Sequence, residues 1–270
     1  MKLHAVILAL SAAATPALGQ LVINEVDYDQ VGVDTNEFVE IRNGLSCSVN
    51  LANLDLVFIN GANNTEYRRV NLGPAGVLLP GQYLVVRNAT VTIPTGTPNI
   101  MFAGAQDNIQ NGAPDGVALV NTATLTVIDA LSYEGPMNAA IITGLGPVNL
   151  VAGTPTAATD SNTITGSLAR IPNGSDTGND TFDWVFTTTI TPGQSNTGFE
   201  PALVSCCGSA DFNCDGDLGT DADIESFFAC LSGTCPTLPC TSNADFNGDG
   251  DLGTDADIEA FFRVLGGGSC

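Results

Sequence analysis

From about Gln20 to Asn196 the apolar residues come in short runs, many of them alternating with polar or small residues, and the runs are separated by Gly, Pro and Asn. A two-residue period between turn residues is the pattern of a half-buried β-strand. Strands are predicted at Leu21 to Val26, Phe38 to Asn43, Leu54 to Asn60, Tyr67 to Leu72, Tyr83 to Arg87, Val117 to Asn121, Thr126 to Tyr133 and Phe182 to Phe186. Helix formers are scarce here, and many short strands over this length predict a mainly β fold, an immunoglobulin-like antiparallel β-sandwich. Its expected core contains Val39, Ile41, Leu56, Phe58, Leu84, Val86, Leu119 and Trp184.

The period changes in the last quarter of the chain. Ile224, Phe227, Phe228 and Leu231 fall at i, i+3, i+4 and i+7, and Ile258, Phe261, Phe262 and Leu265 repeat the spacing, so two amphipathic helices are predicted. Thr220 and Thr254 stand three residues before Asp223 and Asp257, the spacing of a capping box. Neither apolar stripe can be buried alone, so the two helices are expected to pack on each other. A stretch of mixed polar residues around Pro201 reads as a linker. The expected division is a signal peptide at 1–19, a sandwich at 20–196, a linker at 197–205 and a helical module at 206–270.

Ahead of each helix lies an acidic loop. Asp211, Asn213 and Asp215 precede Gly216, and Asp245, Asn247 and Asp249 precede Gly250. Oxygen side chains at alternate positions let a tightly curved loop aim them at one hard cation, with the glycine taking the positive φ of the turn. Calcium, one ion per loop, is the expected occupant. Asp223 and Asp257 are the preferred closing ligands, Asp221 and Asp255 the alternates, with Asp217 and Asp251 offering backbone carbonyls.

This loop, followed by a helix with paired aromatic residues, duplicated, and with no helix before it, resembles a dockerin module of the kind whose C-terminus ends in Gly and Cys. It departs from the usual form in having a loop one residue longer. The resemblance implies a calcium-dependent, EF-hand-like docking module whose helix faces bind a protein partner, a cohesin-like receptor in dockerins generally.

Composition narrows the chemistry. Lys2, the apolar run from Ala5 to Ala14 and Ala17-Leu18-Gly19 form the pattern of a secretory signal peptide. The only lysine and the only histidine, Lys2 and His4, would leave with it, so six arginines would face 29 acids. Serine–histidine triads, histidine zinc sites and Schiff-base lysines are then excluded. The acidic balance disfavours nucleic acid and anionic membranes, and no stretch is long and apolar enough for a membrane span. Eight cysteines in an exported chain suggest disulfides. Cys47 stands apart from seven in the tail, so either it reaches the tail or one tail thiol is left over.

The larger segment also carries a likeness. Val22 to Val26, Glu37 to Asn43, Leu54 to Leu56, Leu79 to Val85, Asp115 to Leu119, Val127 to Tyr133, Ser167 to Pro172 and Thr191 to Gly193 resemble, in order, the blocks of a bacterial lamin tail domain. The likeness is interrupted by a nearly uncharged stretch from Pro136 to Gly166, expected as a surface excursion. It implies an immunoglobulin-like scaffold for binding or attachment, with a ligand that the sequence does not name. The expected function is therefore that of a secreted or cell-surface protein without catalytic residues. The alternative is a polysaccharide-degrading hydrolase or an accessory subunit of one, using paired carboxylates among Glu25, Asp27, Glu37 and Glu40. Glu40 and Arg42, on one strand face, are expected to pair.

Overall fold

The structure, a computed structural model, describes residues 21–112, 114–204, 206–237, 240, 242–248 and 250–268. The expected signal peptide lies outside the described residues. In chain order the strands are β1 (Leu21–Asp27), β2 (Phe38–Asn43), β3 (Val49–Asn50), β4 (Leu54–Asn60), β5 (Thr65–Asn71), β6 (Val77–Leu78) and β7 (Tyr83–Arg87). There follow β8 (Asn99–Met101), β9 (Asp115–Asn121), β10 (Thr126–Tyr133), β11 (Ala140–Ile142), β12 (Gly146–Val148), β13 (Ser167–Arg170) and β14 (Trp184–Thr187). A short helix α1 (Asp180–Asp183) precedes β14, and the C-terminal helices are α2 (Asp221–Leu231) and α3 (Asp255–Leu265).

Two sheets face each other, one ordered β14-β13-β1-β2-β7-β8 and the other β10-β9-β4-β5-β11-β12, with β3 and β6 as a separate pair. Pairing is antiparallel except for β7 with β8 and β11 with β5. Ile23, Val39, Ile41, Leu84, Val86 and Leu168 from the first sheet meet Leu56, Phe58, Val117, Leu119 and Leu131 from the second, with Trp184 closing one side. All eight expected core residues are there. Each such side chain, fully buried, is worth about 1.5–3 kcal/mol.

Antiparallel sandwiches usually leave their outer faces to solvent, but in this chain both are covered. On the second sheet, Val57, Ile59, Ala118 and Val120 are capped by Met137, Ala140, Ile142 and Leu150. The stretch expected as a surface excursion thus supplies two strands and a second apolar layer, a correction its sparse hydrophobic residues did not suggest. On the first sheet, Phe38 and Val85 are covered by Val91, Ile93 and Ile190, so every residue of β1 and β2 is buried.

Register matters in β1. A bulge between Ile23 and Glu25 flips the alternation, so Ile23 and Val26 both enter the core while Asn24 and Glu25 face the outer layer. The expected strand Phe182 to Phe186 is corrected in its first part. Asn179 caps α1 by accepting from the N–H of Thr181, and the strand begins only at Trp184.

The C-terminal helices pack as expected, with their apolar stripes narrowed. Phe227 and Phe261 are fully buried and stack with ring centroids 4.1 Å apart. Phe212 and Phe246, the second residues of the two acidic loops, insert beside them. Phe228 and Phe262, expected within the stripes, are each 45 % exposed. Both capping boxes form, Thr220 with Asp223 and Thr254 with Asp257.

The segment expected as a linker is fastened to the sandwich. Ser46 N–H donates to the Val204 carbonyl and Val204 N–H to the Gly44 carbonyl, both at 2.8 Å, and Cys47 is bridged to Cys206. Gly248 of the second acidic loop lies against that bridge, where a Cβ would sit 2.8 Å from the Cβ of Cys206. The equivalent place in the first loop holds Cys214, which is bridged to Cys240. Both residues have positive φ, and only the glycine leaves room for the sandwich.

Candidate functional site

The first acidic loop is wound by its own side chains. Asp211 accepts the N–H of Asp215 at 3.0 Å and of Gly216 at 3.1 Å, and Asn213 Oδ1 also accepts from Asp215 at 3.0 Å. Asn213 Nδ2 donates to Asp215 Oδ2, and Asp215 Oδ1 accepts the N–H of Asp217. A hydrogen bond from Gly219 N–H to the Ala210 carbonyl closes the turn, matched by Gly253 to Ala244 in the second loop.

The capping boxes decide which acids return to the loops. Asp223 and Asp257 stand at the third helical position and are fully buried. Their Oδ2 atoms accept from Thr220 and Thr254, while Oδ1 reaches back to the N–H of Asn213 and of Asn247, each at 3.2 Å. Burial opposes ionisation of Asp223, but these hydrogen bonds prevail and hold its carboxyl below the usual range. Asp221 and Asp255, at the first helical position, are exposed. Asp215, Asp217 and Asp251 are exposed as well, and Asp249 lies outside the described residues.

In the second loop, Asp245 Oδ2 accepts the N–H of Gly250 at 3.0 Å, while its Oδ1 is buried without a hydrogen bond among the described residues. Asp211 and Asp245 line one cleft of about 340 Å³ with Phe212 and Phe246. Among the described residues no group of three His, Cys, Asp and Glu side chains converges as a metal cage. Each loop also offers an asparagine side chain, Asn213 or Asn247.

The acids proposed for hydrolysis occupy other roles. Glu37 is buried, with its carboxylate accepting the N–H groups of Asn108 and Ile109 and the amide of Asn88. Glu25 and Glu40 are buried under the segment that follows β14, which we term the strap. Glu25 accepts from Thr191 and Ser167, and Glu40 from Asn24 and the N–H of Gly193. Asp27 is pushed up by burial and by Asp160 beside it. The pairing expected for Glu40 and Arg42 is not made, because Arg42 turns to Glu200 at 3.4 Å. That contact went unread because Glu200 lies 158 residues away.

Cys47 to Cys206, Cys214 to Cys240 and Cys230 to Cys235 are bridged, and no described cysteine is free. Cys47 therefore reaches the tail. This usage fits an oxidising compartment. No described helix is long and apolar enough to cross a membrane.

No curated protein matches the chain. Residues 14–135 match the family model of the Lamin Tail Domain, a span that takes in β1 to β10 and both halves of the sandwich core; the β-sandwich has the immunoglobulin-like fold of a lamin tail domain.

Proposed function

We propose that this chain is an exported, non-catalytic binding or attachment protein. The lamin tail sandwich presents the binding surface, and the duplicated C-terminal module docks the chain to a protein partner once its two loops hold calcium. The observation that carries the calcium reading is Asp245 Oδ1, a carboxylate oxygen buried at the first position of its loop with no hydrogen bond among the described residues. A buried carboxylate oxygen without a donor is costly, and a cation offsets that cost.

The donor chemistry fits calcium. Carboxylate and amide oxygens are hard ligands, and the oxygens of Asp223 and Asp257 that accept an N–H keep a second lone pair. Asp211, Asn213, Asp215 and Asp223, with the carbonyl of Asp217, would hold one ion. Asp245, Asn247, Asp249 and Asp257, with the carbonyl of Asp251, would hold the other. Extracellular sites of this type bind with Kd on the order of 10⁻⁴ to 10⁻³ M. Each ion would then add about 1 kcal/mol at calcium several times Kd. Phe228 and Phe262, exposed with centroids 6.2 Å apart, supply an apolar contact for the partner, for which a cohesin-like β-sandwich is the model.

Calorimetry of the full chain in calcium and in EDTA tests this. The C-terminal transition is expected to rise by several degrees in calcium, and an Asp211→Asn, Asp245→Asn double variant to lose the shift. Identical scans in calcium and EDTA would remove the basis of the proposal.

A further inference from the structure

The outer face of the first sheet holds a second built site. Arg42 is 1 % exposed, and its guanidinium lies against Gly174, where an added Cβ would be 2.9 Å from Nη1. Its Nη2 is buried without a hydrogen bond among the described residues. Asn173, also buried, is held from one side. Its Oδ1 accepts from Asn24 Nδ2 at 2.9 Å and from the N–H of Asn196 at 3.2 Å. That fixes the amide so that Nδ2 points outward, to Tyr83 Oη at 2.8 Å and to Glu200 Oε2 at 3.2 Å. Because the Tyr83 oxygen accepts from Asn173, its O–H is free to donate, and it does so to Glu200 Oε1 at 2.5 Å.

Three donors, one of them a permanent cation, thus converge on one carboxylate. Glu40, two residues from Arg42, is not a competitor, since Asn24 and Gly193 engage it. The carboxylate that fills the place comes from the strap and is 49 % exposed. Its contacts with Arg42 are long, 3.4 Å to both Nε and Nη2, against about 2.7–2.9 Å for a well-seated charge-assisted pair. The receptor is buried and fixed, whereas its occupant is half in solvent and does not use the full guanidinium fork.

We infer that Arg42, Tyr83 and Asn173 form a carboxylate-binding site on the sandwich, in which Glu200 is the resident and displaceable ligand. The incoming group is an aliphatic carboxylate, supplied by an acidic side chain or by a uronic acid. A buried guanidinium favours an anion in the slot at all times, so the site exchanges one carboxylate for another and the strap is released when it does. The inference is independent of calcium.

Chemical rescue tests it. Glu200→Ala removes the two carbons and two oxygens that acetate supplies. Thermal unfolding of the full-length Glu200→Ala protein is expected to rise saturably with acetate and not with acetamide, while the wild type stays unchanged at the same concentrations. Adding Tyr83→Phe should weaken the acetate response about tenfold, the loss of one hydrogen bond to a charged group. Should Glu200→Ala fold poorly, NMR of the wild type reports the same exchange through the Asn173 side-chain amide and Arg42 Nε. N-acetylglutamate α-amide and glucuronate are the two arms, and whichever shifts those signals saturably identifies the source. Acetate acting equally on both proteins, no response in a folded Glu200→Ala protein, or wild-type signals unmoved by either arm would overturn the inference.

Discussion

Glu25 and Glu40 face each other as Cα partners across β1 and β2, and both are fully buried. Burial raises the Glu40 carboxyl well above its ordinary range, with the charge of Glu25 adding to the effect, and burial raises Glu25 too. Asp27, Glu37 and Asp115 are shifted upward by burial, and Asp180 is pushed up to about 6 for the same reason. A carboxyl raised in this way keeps its proton in the folded chain after the unfolded chain has lost it. From the ordinary carboxylate range upward the folded state therefore holds more protons, and stability falls as pH rises. Glu66 behaves oppositely, because its hydrogen bond from Arg69 lowers it, and its contribution is lost only as pH falls below the ordinary range. Each raised group contributes up to about 1.4 kcal/mol per pH unit within its window. The thermal midpoint of the sandwich is expected to be higher at pH 5 than at pH 8. Glu40→Gln should flatten the slope, and a slope equal to that of the wild type would show that Glu40 ionises normally.

At the scale of elements, the C-terminal module depends on one aromatic contact. Phe227 stacks on Phe261 and meets the edges of Phe212 and Phe246, so all four rings form one core. Phe227→Ala should cost about 3–5 kcal/mol, more than a unit of this size commonly holds in reserve. Circular dichroism is expected to lose the helical signal while the β-sheet transition remains, and Phe228→Ala, at an exposed position, should leave both in place. Both helices and their caps were legible because a repeated sequence carried period and cap together. The i+4 aromatic was misplaced, since the pattern does not say how wide a stripe a two-helix core can cover. Strands β2, β4, β7 and β10 were legible to the residue from their β-branched and aromatic runs between Gly, Pro and Asn. β11 and β12 were not, because Ala140, Ile142 and Val148 stand among glycines and exposed residues and gain their partners from distant strands, the edge of β5 and the outer faces of β4 and β9. The Asn24 bulge was hidden for a related reason, since nothing local distinguishes an outward Glu25 from an inward one. The acidic loops could be read one by one, whereas the Arg42, Tyr83, Asn173 and Glu200 cluster joins four distant segments and leaves no local trace.

Across the whole molecule, the strap converts two units into one connected body. It leaves β14, passes over the buried carboxylates of the first sheet, seats Glu200 beside Arg42 and ends at the Cys47–Cys206 bridge, against which the second acidic loop rests. A partner docked on α2 and α3, as proposed, would therefore be held at a set place relative to the sandwich, which a free linker would not achieve. The bridge closes a sequence separation of 159 residues, nearly the whole sandwich, and in the chain-entropy model a loop of that length stabilises by about 5 kcal/mol. A Cys47→Ser, Cys206→Ser double variant removes the bridge without leaving an odd thiol. Its sandwich should unfold roughly 10–20 °C lower, at about 2–4 °C per kcal/mol for a domain of this size. Proteolysis should also cut faster within 197–205 than in the wild type, because the hydrogen bonds from Ser46 to Val204 and from Val204 to Gly44 no longer have a covalent anchor beside them. A midpoint and digestion pattern equal to those of the wild type would mean that the strap's polar contacts alone hold the module, and that its fixed placement owes nothing to oxidation.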